Sequence, residues 1–156
     1  MSDLGSKIYI AVIGGGEVTS DLAGLAREVG QEIARQGAIL LCGGLGGVMA
    51  AAARGVQEAG GVSIGILPGA DRQAANPYLT YSIVTNLGHA RNVLLAHSAD
   101  ALIAVDGSYG TVSEAAISLK LRKPVITLKV NWELPGLIPA RNPKEAVSLA
   151  LRSIKV

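Results

Sequence analysis

Short apolar runs alternate with helix-length amphipathic segments along the whole chain. Ile8–Ile13 (IYIAVI) is apolar without alternation and ends at Gly14-Gly15-Gly16, the mark of a strand buried on both faces. Asp21 to Gln36 follows with Leu22, Leu25, Ala26, Val29 and Ile33 at helical spacing, and Gly37 stops it. Ala38–Cys42 is a second strand running into Gly43-Gly44. Val48 to Ala59, with alanines at 50–53, reads as a helix slim enough to pack closely on a sheet. Val62–Leu67 is a third strand, cut off by Pro68-Gly69. A polar loop then passes Asn76-Pro77 to a short strand at Tyr81–Val84. Gly88 to Ser98 is helical, Asp100–Val105 a strand, Gly107–Gly110 a turn, Thr111–Leu121 a helix and Pro124–Val130 the last strand. Asn142-Pro143-Lys144-Glu145 opens the final helix with a capping side chain, a proline at the first position and a glutamate at the third.

Strands separated by helices predict an α/β protein: a Rossmann-like three-layer αβα sandwich with a mostly parallel sheet of about six strands and right-handed crossovers. No linker or repeat divides residues 1–156, so one domain is expected. Ligands of such sheets bind outside the carboxyl ends of the strands, near the point where strand order reverses. Three glycine-rich strand ends therefore become site candidates: Gly14, Gly15 and Gly16; Gly43, Gly44, Gly46 and Gly47; and Gly107 to Thr111.

Composition narrows the classes. With 49% apolar and 17% charged residues the chain is not a disordered one. Twenty glycines in 156 residues, about 13% against a usual ~7%, without a collagen period, point to turns that approach a ligand. There is no Phe, and 3% aromatics speak against a stacking platform for nucleic-acid bases. A formal charge of 14 − 12 = +2, with no basic run, gives no polyanion footprint, so no nucleic-acid partner is expected. Cys42, the only cysteine, can form neither an internal disulfide nor a cysteine zinc cluster, and reads as a small apolar residue at a strand end. The polar start, Met1 to Lys7, is unlike a signal peptide. Apolar runs such as Ala101–Val105 fall far short of the ~20 residues a membrane helix needs. A cytoplasmic protein with no membrane partner is expected.

The three loops differ in what they can hold. Gly14-Gly15-Gly16-Glu17-Val18-Thr19 has the outline of a dinucleotide fingerprint, but Thr19 stands at the third glycine position. The second strand ends in Cys42-Gly43-Gly44, without the acid that binds a ribose hydroxyl or an arginine for a 2′-phosphate. No NAD is expected. Gly107-Ser108-Tyr109-Gly110-Thr111 leaves a strand and enters a helix, where free N–H groups and the dipole favour an anion, and Ser108 and Thr111 add hydroxyls. One such cradle suits a monophosphate better than a pyrophosphate; the same residues also make an ordinary tight turn. Glu114, three residues after Thr111, reads as a general base, a partner for a ligand hydroxyl, or a carboxylate settled on the helix dipole. Arg91, at the start of the preceding helix, is a bidentate clamp for phosphate or carboxylate, or a solvated charge. His89 and His97 have no partner at ligand spacing, so no metal site is expected. Asp71 and Arg72 read as solvated loop charges, and Tyr78 and Tyr81 as walls of the cleft. Lys120, Lys123 and Lys129 follow a helix or lie in an edge-like strand, out of any context for PLP.

At these residues the chain resembles a known superfamily. Gly43-Gly44-Leu45-Gly46-Gly47-Val48-Met49 is similar to the GGGxxGLM motif of the LOG-like, formerly "lysine decarboxylase-like", superfamily. Asp106 to Glu114 (DGSYGTVSE) resembles its PGGxGTxxE motif, and His89-Ala90-Arg91-Asn92 with Ala99-Asp100-Ala101 resembles its HERK…ADA segment. The order is kept over most of the chain. In the cytokinin-activating members, the resemblance implies a phosphoribohydrolase that cleaves the N-glycosidic bond of a nucleoside 5′-monophosphate. Their catalytic arginine and glutamate fall on Arg91 and Glu114, with phosphate on the glycine-threonine loop. The departures are Asp106 for proline, Ser108 for the second glycine and Ser113 for the glutamate before Glu114. Asp106 places a negative charge beside the cradle. The short chain and the segments Gly65-Ile66-Leu67-Pro68 and Asn76-Pro77-Tyr78 look more like the small branch that includes molybdenum cofactor carrier proteins. That branch implies a carried pterin cofactor bearing one phosphate, held rather than cleaved, in a homotetramer. Carrier and hydrolase share one site, and both readings stand. High apolar content in a small chain adds the expectation of a dimer or tetramer, joined through an Ala/Leu-rich helix.

Overall fold

The computed structural model describes residues 6–154. The chain runs β1 (Tyr9–Gly14), α1 (Ser20–Arg35), β2 (Ile39–Cys42), α2 (Val48–Glu58), β3 (Ser63–Leu67) and β4 (Tyr81–Val84). A short 3₁₀ turn at Gly88–Ala90 leads into α3 (Arg91–Ser98), followed by β5 (Ala101–Val105), α4 (Tyr109–Lys120), β6 (Val125–Leu128), β7 (Ile138–Pro139) and α5 (Pro143–Ser153). One sheet holds all seven strands in the order β4-β3-β2-β1-β5-β6-β7, every pair parallel. The expected α/β sandwich is therefore present, with seven strands rather than about six. The added strand, β7, is two residues long and contains Pro139. A proline is tolerated there because β7 is an edge.

Side-chain alternation sorts the helices between the two faces. Ile10, Val12, Leu40, Ala101, Ile103 and Val105 point into a core shared with α1, α2 and α5. Ala11, Ile13, Leu41, Leu102 and Ala104 point the other way, toward Leu95 of α3 and Ala115 of α4. With both faces covered, β5 is buried at all five positions, which is why the apolar runs in the sequence show no alternation. The alanine-rich α2 packs tightly against α1 as well as on the sheet. A Cβ at Gly30 would strike the Ala52 carbonyl, and one at Gly55 the Arg27 carbonyl.

Helix starts account for most of the boundary shifts. Thr19 caps α1 by accepting from the Leu22 N–H, and Asn142 caps α5 by accepting from the Glu145 N–H at 2.8 Å, as its sequence predicts. Helix α4 begins two residues earlier than expected, at Tyr109, and Ser108 at its cap position makes no side-chain capping bond. Tyr78 and Tyr81 do not wall a cleft. Tyr78 packs on the α1/α2 core beneath Arg54, and Tyr81 lies 64% exposed on edge strand β4. Among the described residues, no helix is long and apolar enough to cross a membrane.

Candidate functional site

Neighbouring β1 and β5 are separated in sequence by β2, β3 and β4, which extend the sheet the other way. Strand order reverses between them, and there the carboxyl edge opens into a hollow of about 190 Å3. Its walls come from four parts of the chain. The β1 end supplies Val12, Ile13, Gly14, Gly15 and Gly16; the β2 end and α2 supply Gly43 and Met49; the 3₁₀ turn and α3 supply His89, Arg91 and Asn92. The first turns of α4 supply Ser108, Gly110, Thr111 and Glu114.

The loop expected to cradle an anion forms the start of α4. Asp106 (φ 55°) and Gly107 (φ 104°) both lie in the left-handed region, reversing the chain between β5 and the helix. A Cβ at Gly107 would collide with the Thr111 hydroxyl, so only glycine lets the turn close on the helix. The N–H groups of the first turn have no intrahelical acceptor by the geometry of a helix start. With no side-chain cap at Ser108, they are left for whatever enters the hollow. Gly110 faces open space: a Cβ there meets nothing within 4 Å.

Arg91 sits opposite, positioned by backbone. Its Nη1 donates to the Gly43 carbonyl at 2.6 Å and the Ile66 carbonyl at 2.8 Å, tying α3 to the ends of β2 and β3. Gly43 has no room for a side chain, because a Cβ would strike this guanidinium. Among the described residues, the buried Arg91 Nε has no hydrogen-bond partner. Burial lowers the Arg91 pKa, while nearby Glu114 opposes the shift. Burial pushes the Glu114 carboxyl up to about 7, and Arg91 moderates the rise. The hollow thus pairs a fixed cation with an acid that exchanges its proton near neutral pH.

Nine of the predicted site residues line the hollow: Gly14, Gly15, Gly16, Gly43, Arg91, Ser108, Gly110, Thr111 and Glu114. Gly44, Gly46, Gly47, Gly107 and Tyr109 do not. Gly47 (φ 64°) lets the β2–α2 loop close on the β1–α1 loop, where the Val48 N–H donates to the Gly15 carbonyl at 3.0 Å. Tyr109 is 93% exposed at the mouth of the helix. Ser113 turns away and donates to the Gly110 carbonyl at 2.8 Å. Asp100 accepts from the Tyr9 N–H at 2.8 Å, which gives the Ala-Asp-Ala segment a structural task. Met49 and Asn92 join the wall without having been singled out in the sequence. Their signal was adjacency, Asn92 being one residue past Arg91 and Met49 closing the glycine-rich motif of β2.

Comparison with known proteins places this geometry. The SLOG cluster4 family profile matches residues 7–153. A protein of Archaeoglobus fulgidus is 44% identical over 146 residues, covering 94% of this chain and 96% of the relative. A cytokinin riboside 5′-monophosphate phosphoribohydrolase of Rhodococcoides fascians is 36% identical over 94 residues, covering 58% of this chain and 48% of that protein. Among solved structures, the molybdenum cofactor binding protein of Rippkaea orientalis superposes with TM-score 0.91 at 36% identity, covering 96% of this chain and 99% of that one. The molybdenum cofactor carrier protein of Chlamydomonas reinhardtii superposes with TM-score 0.87 at 34% identity, covering 95% and 98%.

Proposed function

The chain belongs to the SLOG cluster4 family, and from that premise we propose that it is a molybdenum cofactor carrier that holds the phosphate-bearing pterin at the carboxyl-edge cleft. The observation that carries this reading is the full-length likeness to solved proteins described as binding or carrying that cofactor. The residues present suit such a ligand. The uncapped first turn of α4 offers N–H donors, and the Arg91 guanidinium on the wall a positive charge, to one terminal phosphate. A hollow of about 190 Å3 takes the anionic end and leaves the rest of the ligand over the mouth, beside exposed Tyr109. The pterin's own sulfurs hold the metal, so the protein has only to grip the organic part and limit its contact with water.

A specific observation favours a second reading. Arg91 and a carboxyl near pH 7, Glu114, share the wall that also carries the anion cradle. A nucleoside 5′-monophosphate anchored there would meet an acid–base group suited to glycosidic cleavage. Ser113, turned onto its own helix, supplies no second carboxylate.

Self-association is part of the proposal. Exposed Tyr81 and Ile83 of β4 stand in register with Ile64 and Ile66, on the α3 side of the sheet. Val93 and Leu94 of α3, each 41% exposed, are further exposed apolar residues of that layer. We assign the subunit interface to this Leu-bearing helix and the edge strand.

The deciding experiment measures base release from AMP and other nucleoside monophosphates beside molybdenum retention after gel filtration with cofactor. Expected are no base release and saturable retention. Release that vanishes in Glu114→Gln would make the protein a hydrolase and overturn the carrier reading. For the interface, light scattering is expected to show an oligomer that Leu94→Asp converts to monomer; a wild-type monomer at all concentrations would refute it.

A further inference from the structure

Glu114 lines the cleft from the second turn of α4, and its carboxyl has no task in the fold. The backbone carbonyl of Glu114 accepts from the Ser118 hydroxyl at 2.7 Å, but the carboxyl makes no hydrogen bond or ion pair among the described residues. A polar group withdrawn from water without a partner costs stability, so its place on the wall calls for a reason.

The charged and titratable groups around it define what that carboxyl can do. Helix α3 contributes Arg91, whose Nη1 is engaged by the Gly43 and Ile66 carbonyls, and the turn before it contributes His89. His97 lies at the far end of α3. Strand β2 ends in Cys42, whose thiol burial pushes up to about 11. Of the strands packed against α4, β5 and β6 carry no titratable side chain, and β1 carries only Tyr9, at its opposite end. Asp106, in the β5–α4 turn, brings a second carboxylate: its Oδ2 lies 3.9 Å from where a Cβ at Gly15 would stand. Glu17, further along the β1–α1 loop, is exposed and off the wall. One guanidinium thus stands against two carboxyl groups around a hollow of about 190 Å3. An anion entering so small a space meets Glu114 at close range, and an ionised carboxylate there would repel it.

We propose that Glu114 meets the ligand's anionic group as a neutral acid: it takes one proton from solvent as the cleft loads, donates that O–H to an anion oxygen, and returns the proton to solvent as the cleft empties. Proton uptake removes a like charge from the wall and adds a charge-assisted hydrogen bond to the anion. Burial already lifts the carboxyl to about 7, and a nearby anion raises it further, so the proton stays on at neutral pH while the ligand is bound. Loading is therefore favoured at or below neutrality and unloading by alkali. The inference rests on the reading of the cleft as a phosphate site, which the carrier and the hydrolase share.

Ribose 5-phosphate is the probe, because its phosphate is already largely dianionic above pH 7 and it has no base to lose. Calorimetric titration between pH 7 and 9, in buffers of different ionisation enthalpy, reads both the affinity and the protons taken up. For the wild type, uptake of up to one proton per site is expected, with affinity falling toward the one-proton limit of tenfold per pH unit. The proton count is read on the wild type, so no folding defect can mimic it. Glu114→Gln, which carries a permanent N–H donor, is expected to bind without proton uptake and with one affinity from pH 7 to 9. His89→Gln is expected to keep the wild-type slope. Binding with flat affinity and no proton uptake would overturn the inference and leave the phosphate site standing. A slope lost in His89→Gln but kept in Glu114→Gln would assign the proton to the imidazole and sink it equally. No binding at any of these pH values, up to millimolar probe, would remove both the inference and the phosphate site. Failure to retain molybdenum beside a proton-linked titration would remove the carrier reading alone.

Discussion

Helices α4 and α5 begin with the same physical asset, a turn of N–H groups and the positive end of a dipole, and dispose of it in opposite ways. At α5 the chain satisfies itself. Asn142 accepts from the Glu145 N–H, Glu145 reaches back to the Arg141 N–H at 3.2 Å, and the Arg141 guanidinium binds the same carboxylate at 2.9 Å. At α4 no described side chain closes the end: Ser108 makes no cap bond, Gly110 faces open space, and a buried acid and an arginine stand at the wall. A closed end stabilises the fold, and an open one beside a hollow is available for binding. The difference lies in short polar side chains at two positions: Asn142 closes α5 and Ser108 leaves α4 open.

The sharpest break in that comparison comes from Glu114. Its carboxyl, raised by burial from an ordinary 4.5 to about 7, binds its proton more tightly folded than unfolded. Stability is therefore full below about pH 4.5 and declines as pH climbs through 7, by up to ~3 kcal/mol. Glu114→Gln removes the dependence, so thermal unfolding at pH 8 is expected to show the variant more stable than the wild type. Equal melting at pH 8, with the same pH slope, would show that the acid is not buried in the folded protein.

Gly110→Val tests the open end from the ligand side. Because a Cβ there meets nothing, the variant should fold and melt as the wild type does, while cofactor retention falls about 100-fold or more. Retention at the wild-type level would remove the cradle from the site. At the closed end, Asn142→Ala is expected to cost about 1 kcal/mol, roughly 2–4 °C in melting temperature, with retention untouched. A retention defect there would erase the contrast between the two helices.

Glu145→Gln should have the smallest effect and the opposite pH sign to Glu114. Arg141 and the backbone hold the Glu145 carboxyl below its usual value, so its contribution is present above the unfolded pKa and lost on acidification. The variant is expected to lose a little stability at pH 7 and none at the acid end. Its side chain is solvent-screened, which keeps the difference small.

Both helix starts were in part legible. The α5 cap is written locally, as Asn-Pro-Lys-Glu, and local hydrogen bonds decide it, so sequence and structure agree to the residue. The α4 start is decided by what surrounds it. The sequence showed the glycines and hydroxyls but placed the helix at Thr111, two residues late, because the glycines at 107 and 110 read as a turn and the Ser108 cap is not completed by a side-chain bond. Tyr78 and Tyr81 were misplaced for a related reason: aromatic residues near a strand end can face either side of the sheet. The sheet's register, which turned Tyr81 onto the exposed edge, is a long-range pairing.

The sequence by itself determined the strand–helix alternation, the parallel two-faced sheet and the three glycine-rich ends, because apolar periodicity and turn chemistry are local. It also singled out Arg91 and Glu114, through their motifs. Only the tertiary structure decided which glycines line the hollow and which let loops close. It alone brought Arg91 to the Gly43 and Ile66 carbonyls and enclosed Glu114 enough to raise its pKa. It also revealed β7 and the exposed β4–α3 surface. Each of these depends on distant segments meeting, through strand order, packing and desolvation, and none has a signature within one stretch of chain.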